Sequence, residues 1–177
     1  MQKNYSNDNQ LLVKQRVFQK ALQKYGTKNQ IKVLMEECAE LCDVLIKNET
    51  EEKIISETVD VFIMIEQIKY ILKNYLNDED IFKNAEKNNI EFLDSEYDDP
   101  SIEKTVSIFL RLIYTLNHFD RKKVSSEELC KIICSADQRI VCISNNIFNH
   151  YSDDIFLKFL REYKRKFNKL KERLDMT

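Results

Sequence analysis

Glycine and proline are nearly missing. The 177 residues contain one Gly, Gly26, and one Pro, Pro100, where average usage gives about 12 and about 9. That scarcity argues against β-hairpin-rich folds, Gly-rich phosphate loops and dinucleotide fingerprints, all of which need residues that tolerate positive φ. No GxxxxGK[ST], GxGxxG or GxSxG occurs. Two His and no Trp argue against His-dominated zinc or haem centres. No run of ~18 apolar residues is present, so no transmembrane span is expected. The first ten residues, MQKNYSNDNQ, lack the apolar stretch of a signal peptide. A net charge of −2 does not suit a whole-chain nucleic-acid binder.

What is present is enough apolar content for a core. Hydrophobic residues make up 43% and charged residues 33%, which places the chain among folded rather than disordered sequences. The five cysteines, at 38, 42, 130, 134 and 142, fall inside apolar helical patterns. They read as buried reduced thiols of a cytoplasmic protein. A metal site at the Cys38–Cys42 pair has no nearby His to complete it.

Apolar periodicity predicts seven helices, at roughly 9–25, 28–47, 51–75, 79–89, 101–119, 126–148 and 153–174. Gly26 reads as the residue that ends the first. Thr50 reads as the cap of the third, Ser125 with Glu128 as a capping box, and Ser152 as the cap of the last. Residues 91–100, EFLDSEYDDP, form the best linker. The expectation is a single all-α domain over 1–177. Residues 53–65 align without gaps to 131–143, each following another amphipathic helix. A degenerate internal duplication would make the bundle a pseudo-dimer within one chain; a homodimer is the other arrangement that suits such helix pairs.

Acidic residues interrupt two of the apolar stripes. Glu57 lies in the series Ile54, Glu57, Val61, Met64, Ile68, and Glu37 in Val33, Glu37, Leu41, Val44. Glu40 is one turn from Glu37, and Asp60 one turn from Glu57, each on the same helix face. A buried carboxylate must be paired, protonated or bound to a metal, and neither stripe itself supplies a Lys or Arg. Oxygen donors without His or Cys suit Mg²⁺, with Mn²⁺ as the alternative.

The segments KYGTKNQIKVLMEECAELCDVLIK and ISETVDVFIMIEQIKYIL place EECAE sixteen residues before ETVD. This resembles the EExxE…ExxD pattern of the MazG-like all-α nucleoside triphosphate pyrophosphohydrolases, over roughly residues 24–75. The resemblance implies a metal-bearing half at 24–90, with Glu37, Glu40, Glu57 and Asp60 as metal ligands. It implies Glu36 as an accessory acid, orienting a second metal or the attacking water. The implied reaction is hydrolysis between the α- and β-phosphates, giving a nucleoside monophosphate and pyrophosphate. Asn84 and Lys87 are loosely similar to the family's phosphate- or sugar-contacting residues, although Asp80 stands where a Lys is usual. Lys166, Lys169 and Arg173, on one face of the last helix, are similar to the basic tail of short members. The second half, 101–177, departs from the pattern: the ungapped alignment puts Ser135 and Gln138 where Glu57 and Asp60 would recur.

Two other readings stay open. One is a protein of this fold that sequesters a nucleotide without turnover. The other is an interaction or nucleic-acid-binding module using the last helix, where residues 158–173 carry eight Lys or Arg against two Glu. Phe62, Tyr70 and Phe109 are expected in the core. His118 and His150 are expected at the surface or its boundary.

Overall fold

A computed structural model describes residues 4–76, 81–88, 101–143 and 154–176, and among them every regular element is a helix. In chain order these are α1 (Asn4–Tyr25), α2 (Thr27–Ile46), α3 (Glu51–Leu76), α4 (Ile81–Asn88), α5 (Ile102–Asp120), α6 (Ser126–Cys142) and α7 (Asp154–Arg173). The linker at 91–100, the Ser152 cap, His150 and the expected last turn of helix six, 144–148, lie outside the described residues. Helix one begins at Asn4 rather than near residue 9. Its polar first turns carry no apolar stripe, but they contain no helix breaker either.

Local chemistry sets the helix ends. Gly26 adopts φ +77°, and its N–H reaches the Leu22 carbonyl at 2.8 Å. Its own carbonyl accepts the Gln30 N–H at 3.1 Å, so one residue closes α1 and opens α2. After α2, Asn48 takes φ +50°, the left-handed conformation that Asn tolerates, and Glu49 N–H returns to the Val44 carbonyl at 3.0 Å. Thr50 Oγ1 then accepts the Lys53 N–H at 3.4 Å, and Glu51 and Glu52 occupy the positive end of α3. Ser101 caps α5 through Lys104 N–H, and Ser125 caps α6 through Glu128 N–H, both at 3.2 Å.

The four-residue connection between α2 and α3 makes them antiparallel neighbours. A second helical hairpin, α5–α6, packs against the first: α2 touches both α3 and α5, and α4 and α3 lean on α6. Leu34, Leu41, Leu45, Ile65, Ile68, Phe109, Leu112, Leu116, Leu129 and Ile133 fill the space between the hairpins. Cys38, Cys42, Cys130 and Cys134 are buried in the same core outside any disulfide, as their apolar surroundings predict. Burial holds the Cys38 thiol well above the usual thiol range, which keeps it protonated and inert. No helix among the described residues is long and apolar enough to cross a membrane.

Helix α7 runs alongside α3 in the same direction. Lys158 meets Glu51 at 2.6 Å, Phe159 and Tyr163 pack edge-on to Phe62, and Lys166 reaches Asp60. Val17, Phe18 and Ala21 of α1 join Leu174, Tyr70 and Phe167 in a smaller apolar cluster that secures the far end of α7. Lys24 Nζ adds a hydrogen bond to the Arg173 carbonyl at 2.5 Å. Phe62 and Tyr70 thus pack in apolar clusters rather than standing free, and Phe109 is completely buried, as their positions in the stripes predict. His118 is half-buried, stacked on Tyr114 and bonded to its carbonyl at 2.8 Å.

Candidate functional site

Between α2, α3 and α7 lies a pocket of about 750 Å³. Glu37 and Glu40 enter it from α2, and Glu57 and Asp60 from α3. Antiparallel pairing brings the two acidic turns side by side. Carboxylate oxygens of Glu37, Glu40 and Glu57 all lie within 4.8 Å of one another. Glu57 is buried within its apolar stripe, Glu37 is half-buried and Glu40 is exposed. The interruption of the stripes by acids therefore does place charge at the edge of the core.

Two features differ from the sequence expectation. The acids do have basic partners. Lys53, one turn before Glu57, holds its Oε1 at 2.7 Å. Lys166, from α7, reaches both Asp60 Oδ2 and, at 2.8 Å, the Ser56 carbonyl. Asp60 consequently stands outside the close group of three, its carboxylate engaged by an ammonium that is itself only 12% exposed. Lys53 was visible in the sequence at the (i, i+4) spacing. Lys166 could be placed only by the packing of α7 on α3.

The electrostatics show which charge is left over. Burial, reinforced by Asp60, Glu40 and Glu57, pushes the Glu37 carboxyl up to about 7. Burial also raises Asp60, opposed by the hydrogen bond and charge of Lys166. Lys53 pairs with Glu57 and Lys166 with Asp60, and among the described residues Glu37 forms no ion pair. An all-oxygen donor set fits a hard divalent cation such as Mg²⁺ or Mn²⁺. Glu37, Glu40 and Glu57 are the residues that could hold it.

The opposite wall is basic. Arg165, Lys166, Lys169 and Arg173 of α7 all line the pocket. Lys166, Lys169 and Arg173, grouped in the sequence only by their helical spacing, thus share one cavity with the acids. Glu162 sits behind them, held by Arg165 through bonds of 2.5 and 2.7 Å. Acid ligands on one side and ammonium and guanidinium groups on the other suit a metal–polyphosphate, whose charges alternate in the same way.

Other expected site residues are not brought in. Glu36 is exposed and does not line the pocket, because one residue's step turns it about 100° around the helix from Glu37. Asn84 is exposed on α4, which packs on α6, away from this pocket. The Lys87 side chain lies outside the described residues. Conversely, the pocket contains Gln30 and Gln67, which the sequence reading passed over. Their signal was present: Gln30 is one heptad before Glu37, and Gln67 falls in the Met64–Ile71 stripe.

Fold and pocket together define an all-α helical bundle with an acid-and-base-lined cavity. Comparison with known protein families, curated proteins and solved structures finds no match to the chain.

Proposed function

We propose that this chain is a divalent-metal-dependent nucleoside triphosphate pyrophosphohydrolase of the MazG-like all-α type. The observation that supports the reading most strongly is the convergence of Glu37, Glu40 and Glu57 within 4.8 Å, in a pocket whose far wall is the basic face of α7. Neither half alone is specific. Clustered carboxylates alone make a cation site, and clustered cations alone make an anion site. Both in one cavity suit a polyphosphate carrying its counter-ion.

In this reading Glu37, Glu40 and Glu57 would hold Mg²⁺, which would neutralise phosphate charge and lower the pKa of a water bound there. Lys169 and Arg173 attract and orient the polyphosphate. Lys166 exchanges its bond to Asp60 for one to a phosphate oxygen, which frees Asp60 to complete the acidic cluster. Water adds to the α-phosphorus, the bond from that phosphorus to the oxygen bridging to the β-phosphate breaks, the water's proton passes to solvent, and a monophosphate and pyrophosphate leave. The α5–α6 hairpin, with Ser135 and Gln138 in place of Glu57 and Asp60, is the degenerate repeat that completes the bundle as a pseudo-dimer. The protein works in a reducing compartment such as the cytoplasm, where its buried thiols stay free.

The test is pyrophosphate release from a panel of NTPs and dNTPs with Mg²⁺. Release by the wild type, lost in Glu57→Gln, supports the reading. Equal rates for wild type and variant across the panel count against it. Tight nucleotide binding without product would leave a sequestering protein instead.

A further inference from the structure

The end of the pocket away from the acids is built unlike the rest. Gln30 on α2 and Gln67 on α3 both line it, yet they are only 5% and 3% exposed. Gln30 Oε1 is buried and accepts no hydrogen bond. Gln67 Nε2 donates only to the Met64 thioether sulfur, at 3.4 Å, and sulfur is a weak acceptor. A buried amide oxygen without a partner is costly to the folded chain. Gln30 itself lines the cavity, and a turn of its amide would bring that oxygen to an incoming group.

The position along the helices is informative. Gln30 precedes Glu37 by seven residues, and Gln67 follows Asp60 by seven. On antiparallel helices both displacements run the same way, about 10 Å from the acids. Val33, Ile63 and Met64 line the pocket between. Along α2 and α3 the cavity wall therefore passes from the acids, through an apolar stretch, to a pair of amides, with Lys169 and Arg173 of α7 on the opposite wall. A nucleoside triphosphate has the same order: charged phosphates, a less polar body, and a flat base edged with hydrogen-bonding groups.

We infer that Gln30 and Gln67 read the nucleobase, with Gln30 Oε1 accepting from an N–H on the base edge and Gln67 Nε2 donating to the adjacent ring nitrogen or carbonyl. This rests on the polyphosphate reading above. It adds that the substrate is recognised as a nucleotide, and not merely as a polyphosphate with its cation. Gln67 loses only a bond to sulfur when it turns to the base, so the exchange is favourable.

The experiment compares wild type, Gln30→Leu and Gln67→Leu. Each is assayed for kcat/KM on the NTP and dNTP panel with Mg²⁺, for binding of inorganic tripolyphosphate with Mg²⁺, and for thermal stability without ligand. Gln30→Leu is expected to lower kcat/KM on the preferred nucleotide at least tenfold and to compress the differences between bases, because the base donor is left unpaired. Tripolyphosphate affinity should change less than twofold. The ligand-free Gln30→Leu protein should melt at or above the wild-type temperature, since no hydrogen bond is lost. Unchanged base ratios in both variants, or a parallel loss of tripolyphosphate binding, would overturn the inference and leave the metal–polyphosphate reading intact. A wild type that binds tripolyphosphate and nucleotides equally well would do the same. Failure of wild type to bind any of them would remove both.

Discussion

Neutralising Glu57 should separate stability from metal binding. Its carboxylate is 5% exposed and within 4.8 Å of carboxylate oxygens of Glu37 and Glu40. At 4.8 Å or less and an effective dielectric constant of about 20, two such charges repel by about 3 kcal/mol or more. Glu57→Gln removes that repulsion and keeps the side-chain shape. It gives up the ion pair with Lys53, which is more than half exposed and contributes little. The metal-free variant at pH 8 should therefore be as stable as wild type or more so. Metal binding should move the opposite way. Losing a group that merely orients a metal ligand costs about 10- to 100-fold in affinity, so losing a ligand should cost at least about 100-fold. At a Mg²⁺ concentration 100 times the wild-type Kd, binding adds about 2.7 kcal/mol to the wild type and about 0.4 kcal/mol to the variant. For a chain of this size those figures are melting shifts of about 5–10 °C and about 1 °C. Differential scanning calorimetry with and without Mg²⁺ reads both quantities. A variant that is destabilised without metal yet shifts with Mg²⁺ like wild type would refute the reasoning, since it would make Glu57 a structural ion-pair residue.

Other consequences follow from the same charges and from the core. The folded-state pKa of Glu37 is about 7 against an ordinary 4.5, and Asp60 is raised as well. The folded state therefore holds those protons more tightly. Stability of the metal-free protein should be greatest below about pH 4.5 in these groups' contribution and fall as pH rises toward 7. Urea unfolding across that range should show the fall, and Glu37→Gln should flatten it. Lys166→Met leaves Asp60 half-buried without its ammonium and should cost about 1–3 kcal/mol; pairing it with Asp60→Asn should restore most of the loss. Phe109→Ala, at a completely buried ring, should cost about 3–5 kcal/mol in denaturant unfolding.

Much of this was legible in the chain. The all-α class follows from the missing Gly and Pro and from 3.6-residue stripes, and the caps at Thr50 and Ser125 are short-range chemistry. The start of α1 was misplaced because a polar segment without breakers carries no periodic signal in either direction. The acids of the site were visible as charges inside apolar stripes, since that is a conflict local sequence can reveal. The pairing of Asp60 with Lys166 was not. Its position depends on α7 lying along α3, a contact more than a hundred residues apart in the chain. Glu36 shows the converse: adjacency in an acidic run does not survive the turn of a helix. Gln30 and Gln67 were overlooked because an uncharged amide in a stripe is a weaker anomaly than a carboxylate, although burial makes both costly.

The most direct measurement is anomalous diffraction from crystals soaked in Mn²⁺. The expected result is an Mn²⁺ peak bounded by Glu37, Glu40 and Glu57, lost in the Glu57→Gln protein. Millimolar Mn²⁺ with no peak among those carboxylates, in crystals that diffract well, would contradict it.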